Sequence, residues 1–297
     1  MRLVVSGSSG LVGRALVPFL QAGGHTVRRL VRDGGAVDDL AWRPDRGEID
    51  GRGFAGVDAV VHLAGESIAQ ARWSAERKAL LRDSRVIGTR LLAATLAQRP
   101  DPPKVLICAS AIGFYGDRGD EWLTETSALG PGFLADVCRE WEAAAHPAID
   151  CGLRVVHLRF GVVLSPHGGA LQRMLLPFRL GLGGRIGHGR QWLSWIALDD
   201  VVGVIAKVLA DESLRGPVNV VTPTPVTNAE FTRTLGRALG RPTLLPMPRI
   251  AARLVFGEMA DELLLASQRV RPSKLEQSGH RFGWPALEGA LRHLLSG

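Results

Sequence analysis

Apolar and polar positions follow two different periods along the first half of this chain. Continuous short apolar runs are typical of buried strands, whereas apolar residues spaced three and four apart are typical of helices. Strand-like runs lie at about 3–5, 25–31, 40–42, 58–63, 104–110 and 154–160, and helix-like segments at about 11–20, 74–98 and 132–145. This alternation predicts an α/β fold, in which a doubly wound parallel sheet has helices on both faces.

The pattern changes after Gly161. Glycines surround a short helix-like run at 171–180, a strand-then-helix pattern returns at 196–209, and prolines separate two further helices at 228–239 and 251–266. We therefore predict a first domain of residues 1–164, completed by about 196–221. Residues 165–195 and 222–297 form a smaller lobe at the carboxyl edge of the sheet, where ligands bind in open α/β folds.

The first strand runs directly into a glycine turn and then a helix. Such a turn gathers backbone N–H groups at the positive end of the helix dipole, which favours a pyrophosphate. Gly7 permits the turn, Gly10 lets the backbone approach the phosphates, and Gly13 lets helix and strand pack closely. The G-x-x-G-x-x-G spacing can also be merely structural. The predicted contacts are Gly7, Ser9, Gly10, Leu11, Val12 and Gly13.

Arg32 follows the second predicted strand, where a dinucleotide-binding domain meets the adenosine ribose. An arginine there pairs with the 2′-phosphate of NADP, whereas an acidic residue would accept hydrogen bonds from the 2′-hydroxyl of NAD. Arg32 therefore favours NADP. Asp33 is the next residue, so NAD stays open, as does a solvated surface arginine.

Composition narrows the possible partners. The chain has 297 residues and a net charge of +7, but its arginines are scattered without dense runs, which argues against nucleic-acid binding. No apolar run reaches the length of a membrane span, and no secretory signal precedes the first strand. The cysteines Cys108, Cys138 and Cys151 lie at no metal-ligand spacing and indicate reduced thiols. We expect a cytoplasmic protein with a small-molecule substrate.

Several motifs resemble those of the extended short-chain dehydrogenase/reductases. They are 7–13, 62–66, 84–90 and 109–116. Further stretches resemble an atypical branch, the NAD-dependent epimerase/dehydratase-like "epimerase family": 116–117, 123–125, 141–142, 176–184, 194–196 and 272–275. From about Pro246 onward the chain is similar to that family's C-terminal domain of unknown function. The resemblance implies a Rossmann fold with a smaller C-terminal substrate lobe.

The resemblance also implies roles for individual residues. Leu63 and Ala64 would pass the adenine–ribose side of the cofactor, Arg90 would face the cofactor, and Val162 would flank the nicotinamide. The cofactor contacts would continue through Gly65 to Glu66, which could alternatively be a base or cap the following helix. Arg85 stands where many relatives carry asparagine, so no role is assigned to it.

The usual catalytic pair of the wider family, a tyrosine followed four residues later by a lysine, is missing. Tyr115 is the single tyrosine, and Gly119 stands four residues after it. By the resemblance, Leu134 and Cys138 occupy the two positions of the pair, and Cys138 is expected to be a packed small hydrophobe. Ser110 corresponds to the family's serine. Ser110 and Tyr115 are therefore the catalytic candidates, with Ser110 orienting an oxygen and Tyr115 or water handling the proton.

A basic, glycine-rich loop at 181–191 covers the substrate in extended relatives. Arg185, His188 and Arg190 could bind an anionic substrate, with Trp192 and Trp195 as an apolar wall. A surface turn packed by its aromatic side chains is an equal alternative.

Two functions remain open from the sequence. The leading one is an NADP(H)-binding reductase or epimerase-like enzyme acting on a small carbonyl or alcohol. The alternative is a non-catalytic NADP(H)-binding sensor, which the missing tyrosine–lysine pair would suit. The sequence leaves the substrate and the oligomeric state undetermined.

Overall fold

A computed structural model describes residues 1–32 and 36–296. Within these ranges the chain divides into two compact units. Unit 1 comprises 1–110, 137–158 and 205–218, and unit 2 comprises 111–136, 159–204 and 219–297. Asp33, which kept NAD open as an alternative, lies outside the described residues.

The bounds of the regular elements are as follows. The strands are β1 (Arg2–Ser6), β2 (Thr26–Val31), β3 (Leu40–Arg43), β4 (Glu48–Ile49), β5 (Ala59–His62), β6 (Val105–Ala111), β7 (Trp122–Leu123), β8 (Arg154–Phe160), β9 (Val162–Ser165), β10 (Trp192–Leu193), β11 (Trp195–Ala197), β12 (Gly216–Val220), β13 (Val226–Thr227) and β14 (Arg269–Val270). The helices are α1 (Leu11–Ala22), α2 (Ala75–Ala97), α3 (Phe133–Ala143), α4 (His146–Asp150), α5 (Gly169–Arg179), α6 (Leu198–Ala210), α7 (Asn228–Leu239), α8 (Arg249–Phe256), α9 (Ser273–Gln277) and α10 (Leu287–Leu295).

Eight of the described strands form the large sheet, in the order β12-β8-β6-β5-β1-β2-β3-β4. The pairs β1·β2, β1·β5, β2·β3 and β5·β6 are parallel, and the short β4 is antiparallel to β3. In register, Val5 lies between Arg29 and Val61. The strand order reverses at β1, where the chain leaves one half of the sheet for the other. The predicted α/β doubly wound class is confirmed.

Burial explains why these runs form strands. All four residues of β5 are buried, as are the last four of β1, because helices cover the sheet. One face of α2 packs on this core through Leu92 and Leu96, which are fully buried. Ser74 accepts a hydrogen bond from the backbone N–H of Arg77 and so fixes the start of α2.

The prediction of a single helix over 251–266 is wrong, because two separate elements cover these residues. Helix α8 ends at Phe256 and is followed by Gly257, whose positive φ of 63° favours glycine. A π-helical segment then covers Ala260–Leu265. Such segments are frequent at functional sites.

Unit 2 has a different extent from the lobe predicted from sequence. Residues 111–136 belong to it because their partners lie in the C-terminal part of the chain. Strand β7 pairs in parallel with β14, and the carboxylate of Glu125 accepts hydrogen bonds from the backbone N–H groups of Asn219 and Lys274. A core of its own, which includes Leu175, Trp195 and Leu291, stabilises this unit.

Helix lengths and hydropathies bear on the membrane question. Within 1–32 and 36–296, no helix combines the length and apolar character needed to cross a bilayer.

Candidate functional site

The turn between β1 and α1 is packed so tightly that only glycine fits at two positions. A Cβ on Gly13 would lie 2.3 Å from the carbonyl oxygen of Gly7, and a Cβ on Gly7 would lie 2.6 Å from the carbonyl carbon of Leu63. Gly7 also has a φ of 68°. A Cβ on Gly10 would meet only the Gly7 oxygen, at 3.2 Å. Gly10 is therefore the glycine whose missing side chain leaves open space rather than relieving a clash.

The N-terminus of α1 is open to an anion. Gly10 is its N-cap and supplies no side-chain cap, and no acidic residue lies in the first turn. The first N–H groups of an α-helix have no partner within the helix, and the dipole favours negative charge there. A diphosphate therefore fits this turn by both shape and charge.

The loop after β5 runs directly beside the glycine turn, because Gly7 approaches the Leu63–Ala64 peptide. Within this loop, Glu66 is held by Arg77, whose two terminal nitrogens each lie 3.2 Å from Glu66 Oε1. The backbone N–H of Glu66 donates to Ser84 Oγ at 3.2 Å. Because Glu66 forms an ion pair with Arg77, it is better suited to ordering the loop than to acting as a general base.

Arg85, like Arg77, is an arginine of α2 that contacts this loop. Its Nη2 donates to the carbonyl oxygen of Glu66 at 2.9 Å, and its guanidinium lies 5.1 Å from the Trp141 ring centroid. Burial lowers the pKa of Arg85. Arg90 is exposed. The predicted contact of Arg90 with a cofactor stays a prediction.

Arg32, the predicted contact of a 2′-phosphate, is accessible in the structure. It directly follows β2 and is exposed, and among the described residues it has no ion pair or hydrogen bond to another side chain. The predicted contact of Arg32 with a 2′-phosphate stays a prediction.

A buried chain of hydrogen bonds connects the elements around the glycine turn. Ser6 Oγ lies 2.6 Å from His62 Nδ1, and His62 Nε2 lies 3.1 Å from Thr89 Oγ1, which also accepts from Trp141 Nε1–H at 2.9 Å. Burial lowers the pKa of His62 to about 4, so its ring is neutral near pH 7. These hydrogen bonds connect β1, β5, α2 and α3 through uncharged side chains.

Ser110 is the next-to-last residue of β6, and its hydroxyl donates to Glu142 Oε1 on α3 at 2.7 Å. Ser110 is 2% exposed. Cys108, two residues earlier on the same strand, has a pKa raised to about 12, chiefly by burial and further by the Glu142 charge. Glu142 therefore fixes the orientation of the Ser110 hydroxyl, a partnership that separation by 32 residues hid from the sequence pattern.

Tyr115 is fully buried in unit 2, and both hydrogen-bonding directions of its hydroxyl are used. The hydroxyl donates to Asn219 Oδ1 at 2.7 Å and accepts from Arg159 Nη1 at 3.0 Å. The Arg159 guanidinium also lies 3.5 Å from the Phe114 ring centroid. Burial raises the pKa of Tyr115. These contacts suit a structural role better than proton transfer to a substrate.

A carboxylate that the sequence analysis missed lies beside Leu134. Glu262, in the π-helical segment, accepts hydrogen bonds from the backbone N–H of Phe133 and of Leu134, both at 3.2 Å. A cavity of about 240 Å³, hereafter the Glu262 cavity, is lined by Glu262, Leu134, Arg249 and Gln268 among others. The separation of 128 residues between Leu134 and Glu262 leaves no local signal of this pairing.

The three basic residues singled out in the loop at 181–191 lie outside the Glu262 cavity. Arg185, His188 and Arg190 are exposed, and none of them lines the Glu262 cavity. Trp195 is fully buried, and its Nε1–H donates to the carbonyl oxygen of Thr224. The indole therefore packs in the core, so its predicted place in a substrate wall is not supported.

Two other positions singled out from the sequence, Val162 and Cys138, lie within regular elements. Val162 begins β9 and pairs with Trp195 of β11. Cys138 is buried on α3, as expected for a packed small residue. No cluster of three or more metal-ligating side chains occurs in the described parts of the chain.

An open helix N-terminus behind a glycine turn, at the switch point of a doubly wound sheet, defines a nucleotide-binding α/β protein. The sequence model of the NAD dependent epimerase/dehydratase family matches residues 3–221, and that of a domain of unknown function (DUF1731) matches residues 247–294. The chain therefore belongs to the NAD dependent epimerase/dehydratase family.

Individual relatives agree with this assignment. The chain is 50% identical over 290 residues to the epimerase family protein Mb2239 of Mycobacterium bovis, which covers 97% of this chain and 96% of the relative. It is similar to the crystal structure of human epimerase family protein SDR39U1 with NADPH, with a TM-score of 0.91, 35% identity and complete coverage of both chains. It is also similar to a nucleoside-diphosphate sugar epimerase from Corynebacterium glutamicum, with a TM-score of 0.84, 40% identity, and coverage of 99% of this chain and 58% of that one. Membership and neighbours support a nicotinamide cofactor.

Proposed function

We propose that this protein is an NADP(H)-dependent reductase or epimerase-like enzyme acting on a small carbonyl or alcohol. The observation that carries the proposal is the uncapped N-terminus of α1 behind a turn in which Gly7 and Gly13 admit no Cβ. That geometry binds a diphosphate through backbone amides. Family membership supports a nicotinamide cofactor as that dinucleotide.

Arg32 supports NADP over NAD. Its exposed guanidinium follows β2, where the adenosine ribose lies in dinucleotide-binding folds. A guanidinium forms strong charge-assisted hydrogen bonds with phosphate oxygens. The similar human protein was solved with NADPH, which agrees with this choice.

The bound cofactor would supply or accept a hydride. The amides of Gly7–Gly13 would hold its pyrophosphate, the loop at Leu63–Ala64 would pass its adenine–ribose side, and Val162 would flank the nicotinamide. Ser110 is proposed to orient the substrate oxygen. Because the Ser110 proton points to Glu142, its oxygen is available to accept a hydrogen bond from a substrate hydroxyl.

The proposal is tested by calorimetric titration of the purified protein with NADPH and NADH. The NADPH-loaded protein is then assayed for loss of absorbance at the nicotinamide band, with a panel of small aldehydes, ketones and oxo acids. We expect tighter binding of NADPH than of NADH, and turnover of part of the panel. Failure to bind either nucleotide would overturn the proposal, whereas a bound cofactor that reacts with no carbonyl would indicate a binding protein without catalysis.

A further inference from the structure

Another cavity of unit 2 lies along helix α7 and the turn that follows it. Its volume is about 650 Å³, within the roughly 300–1,000 Å³ of common ligand pockets. The described residues that line this space, hereafter the α7 cavity, all lie between 230 and 243. This segment falls between the residues matched by the two family models, 3–221 and 247–294. Neither family model therefore covers the cavity.

Three arginines, Arg233, Arg237 and Arg241, line the α7 cavity. Arg233 and Arg237 are four residues apart on α7, so their side chains leave the same face of the helix, with Cβ atoms about 5–6 Å apart. All three arginines are exposed, and none forms an ion pair with a residue in 1–32 or 36–296. Arg237 Nη2 donates to Thr234 Oγ1 at 3.4 Å, a long hydrogen bond that leaves most of its donors unused. The cavity thus presents three guanidinium groups without internal counter-ions.

The negative charge of the cavity lies at the other end of the helix. Among the described lining residues Glu230 is the one acidic residue, which leaves a net charge of +2 with the three arginines. Glu230 lies in the first turn of α7, whereas Arg237 lies in its last turn, seven residues later. At 1.5 Å of rise per residue, these positions are about 10 Å apart along the helix axis. Positive charge is therefore concentrated around Arg237 and Arg241.

The turn after α7 holds Arg241 beside the helix. Gly240 ends the helix with a φ of 62°, and the N–H groups of Gly240 and Arg241 donate to the carbonyl oxygens of Arg237 and Gly236. A Cβ on Gly236 would lie 2.4 Å from Thr243 Cγ2 and 2.9 Å from the Arg241 oxygen, so glycine lets the turn pack closely on the helix. Because these helix carbonyl oxygens are already paired, they do not compete with an anion for the guanidinium donors.

We propose that the α7 cavity is a binding site for a small polyphosphate, a ligand that carries two or more linked phosphate groups. Guanidinium groups bind phosphate oxygens through paired, charge-assisted hydrogen bonds. Linked phosphates extend along the row of Arg233, Arg237 and Arg241, whereas a single phosphate reaches only part of it. The inference does not depend on the proposed function, because the lining residues belong to unit 2 and none of them lies in the glycine turn.

The density of unpaired donors favours phosphate over carboxylate ligands. A phosphate monoester carries a charge of about −1.5 to −2 and three strong acceptor oxygens, whereas a carboxylate has one charge and two oxygens. Within a space of this size, linked phosphates therefore satisfy more guanidinium donors than an acidic peptide segment does. Binding of an acidic peptide is the alternative that the experiment has to exclude.

The test is calorimetric titration of the full chain, with saturating NADPH and again without it. The probes are tripolyphosphate, pyrophosphate, inorganic phosphate, ATP and poly-glutamate. We expect tripolyphosphate to bind at least tenfold more tightly than inorganic phosphate, with an affinity that falls as the salt concentration rises. Tighter binding of ATP than of tripolyphosphate would indicate a nucleotide as the source of the phosphates, and weaker binding a free polyphosphate. Either order supports the inference.

Variants locate the binding. R237Q should raise the Kd of tripolyphosphate at least tenfold, and R237Q/R241Q at least 100-fold. R237K should also bind more weakly than the wild type, because an ammonium group keeps the charge but lacks the planar fork of donors. Arg241→Gln replaces R237Q if that variant unfolds, since Arg241 lies beyond the end of the helix.

Arg179→Gln is the matched control, because Arg179 is an exposed arginine in the last turn of α5 and lines neither the α7 cavity nor the Glu262 cavity. It should bind tripolyphosphate as the wild type does. Four results would overturn the inference: no binding of tripolyphosphate, equal affinity for inorganic phosphate, unchanged affinity in R237Q/R241Q, or an equal loss in R179Q. Binding of poly-glutamate without tripolyphosphate would also overturn it and would indicate an acidic protein partner. The titration with NADPH alone reports separately on the proposed function.

Discussion

The glycine turn of unit 1 is formed by backbone groups, whereas the Glu262 cavity of unit 2 depends on side chains. The turn is made of backbone amides within seven consecutive residues, Gly7–Gly13, and it requires small residues rather than particular functional groups. The cavity depends on individual side chains from segments more than 100 residues apart. A site made of backbone leaves a local sequence pattern, whereas a site made of distant side chains leaves none.

The largest effect is expected from filling the turn. Gly13→Ala places a Cβ 2.3 Å from the Gly7 oxygen, so β1 and α1 must separate. We expect a loss of roughly 3 kcal/mol or more in the free energy of unfolding, as for severe overpacking, together with loss of nucleotide binding. Urea unfolding measures the first and calorimetry the second.

Gly203→Ala is the control for Gly13→Ala, because Gly203 lies in α6 with no atom within 4 Å of its would-be Cβ. Alanine there should stabilise the protein by up to about 1 kcal/mol. Equal stability of the two variants would show that the turn is not tightly packed.

The next largest effect is expected at low pH, where His62 in the buried hydrogen-bond network of unit 1 opposes protonation. The pKa of His62 is about 4, below its ordinary 6.5, because of burial. As pH falls from 6.5 to 4, the unfolded chain binds a proton that the native state excludes, so the free energy of unfolding decreases by roughly 3 kcal/mol in total. Urea unfolding at several pH values measures this loss. His62→Gln should lower stability but remove this part of the slope, and an identical slope in both proteins would contradict the assignment.

A smaller effect is expected at the phosphate contact. Arg32→Ala should weaken NADPH binding about 10- to 100-fold, because a charge-assisted hydrogen bond contributes roughly 1.5–3 kcal/mol. NADH binding should change by less than threefold, since it lacks the 2′-phosphate. The exposed Arg52→Ala, paired only with Asp50 at the surface, is the control. Equal losses for both nucleotides would remove Arg32 from the phosphate site.

The smallest effect should come from Tyr115→Phe in unit 2. Removing the hydroxyl leaves Asn219 Oδ1 and Arg159 short of a partner, which should cost about 1–3 kcal/mol in the free energy of unfolding. Turnover of the folded variant should remain within a few-fold of the wild type. A 100-fold loss of turnover with unchanged stability would instead make Tyr115 catalytic.

The fold could be predicted because its signals are local. Apolar runs such as 154–160 match β8 residue for residue, and the glycines after β1 mark the turn. The break at Gly257 has no clear sequence signal, because apolar positions continue past it with helical spacing and the interruption covers only residues 257–259, beginning with Gly257 at a positive φ.

The side-chain chemistry could be predicted only in part. Tyr115 was chosen as the single tyrosine near the end of a strand, but its partner Asn219 lies 104 residues later and fixes its hydroxyl in the core. Glu142 was recognised as part of a motif and Glu262 was not recognised at all. Such pairings follow from tertiary packing, which no periodicity in one sequence encodes.

Unit 2 pairs residues that lie far apart in sequence, and this determines the order in which its contacts can form during synthesis. The backbone carbonyl of Leu123 and the carboxylate of Glu125 receive hydrogen bonds from Arg271 and Lys274. On the ribosome, these early residues must wait for about 150 more to be synthesised before their partners emerge. The buried Glu125 carboxylate is thus a late-closing element, and a nascent chain stalled before Lys274 would expose it to chaperones and proteases.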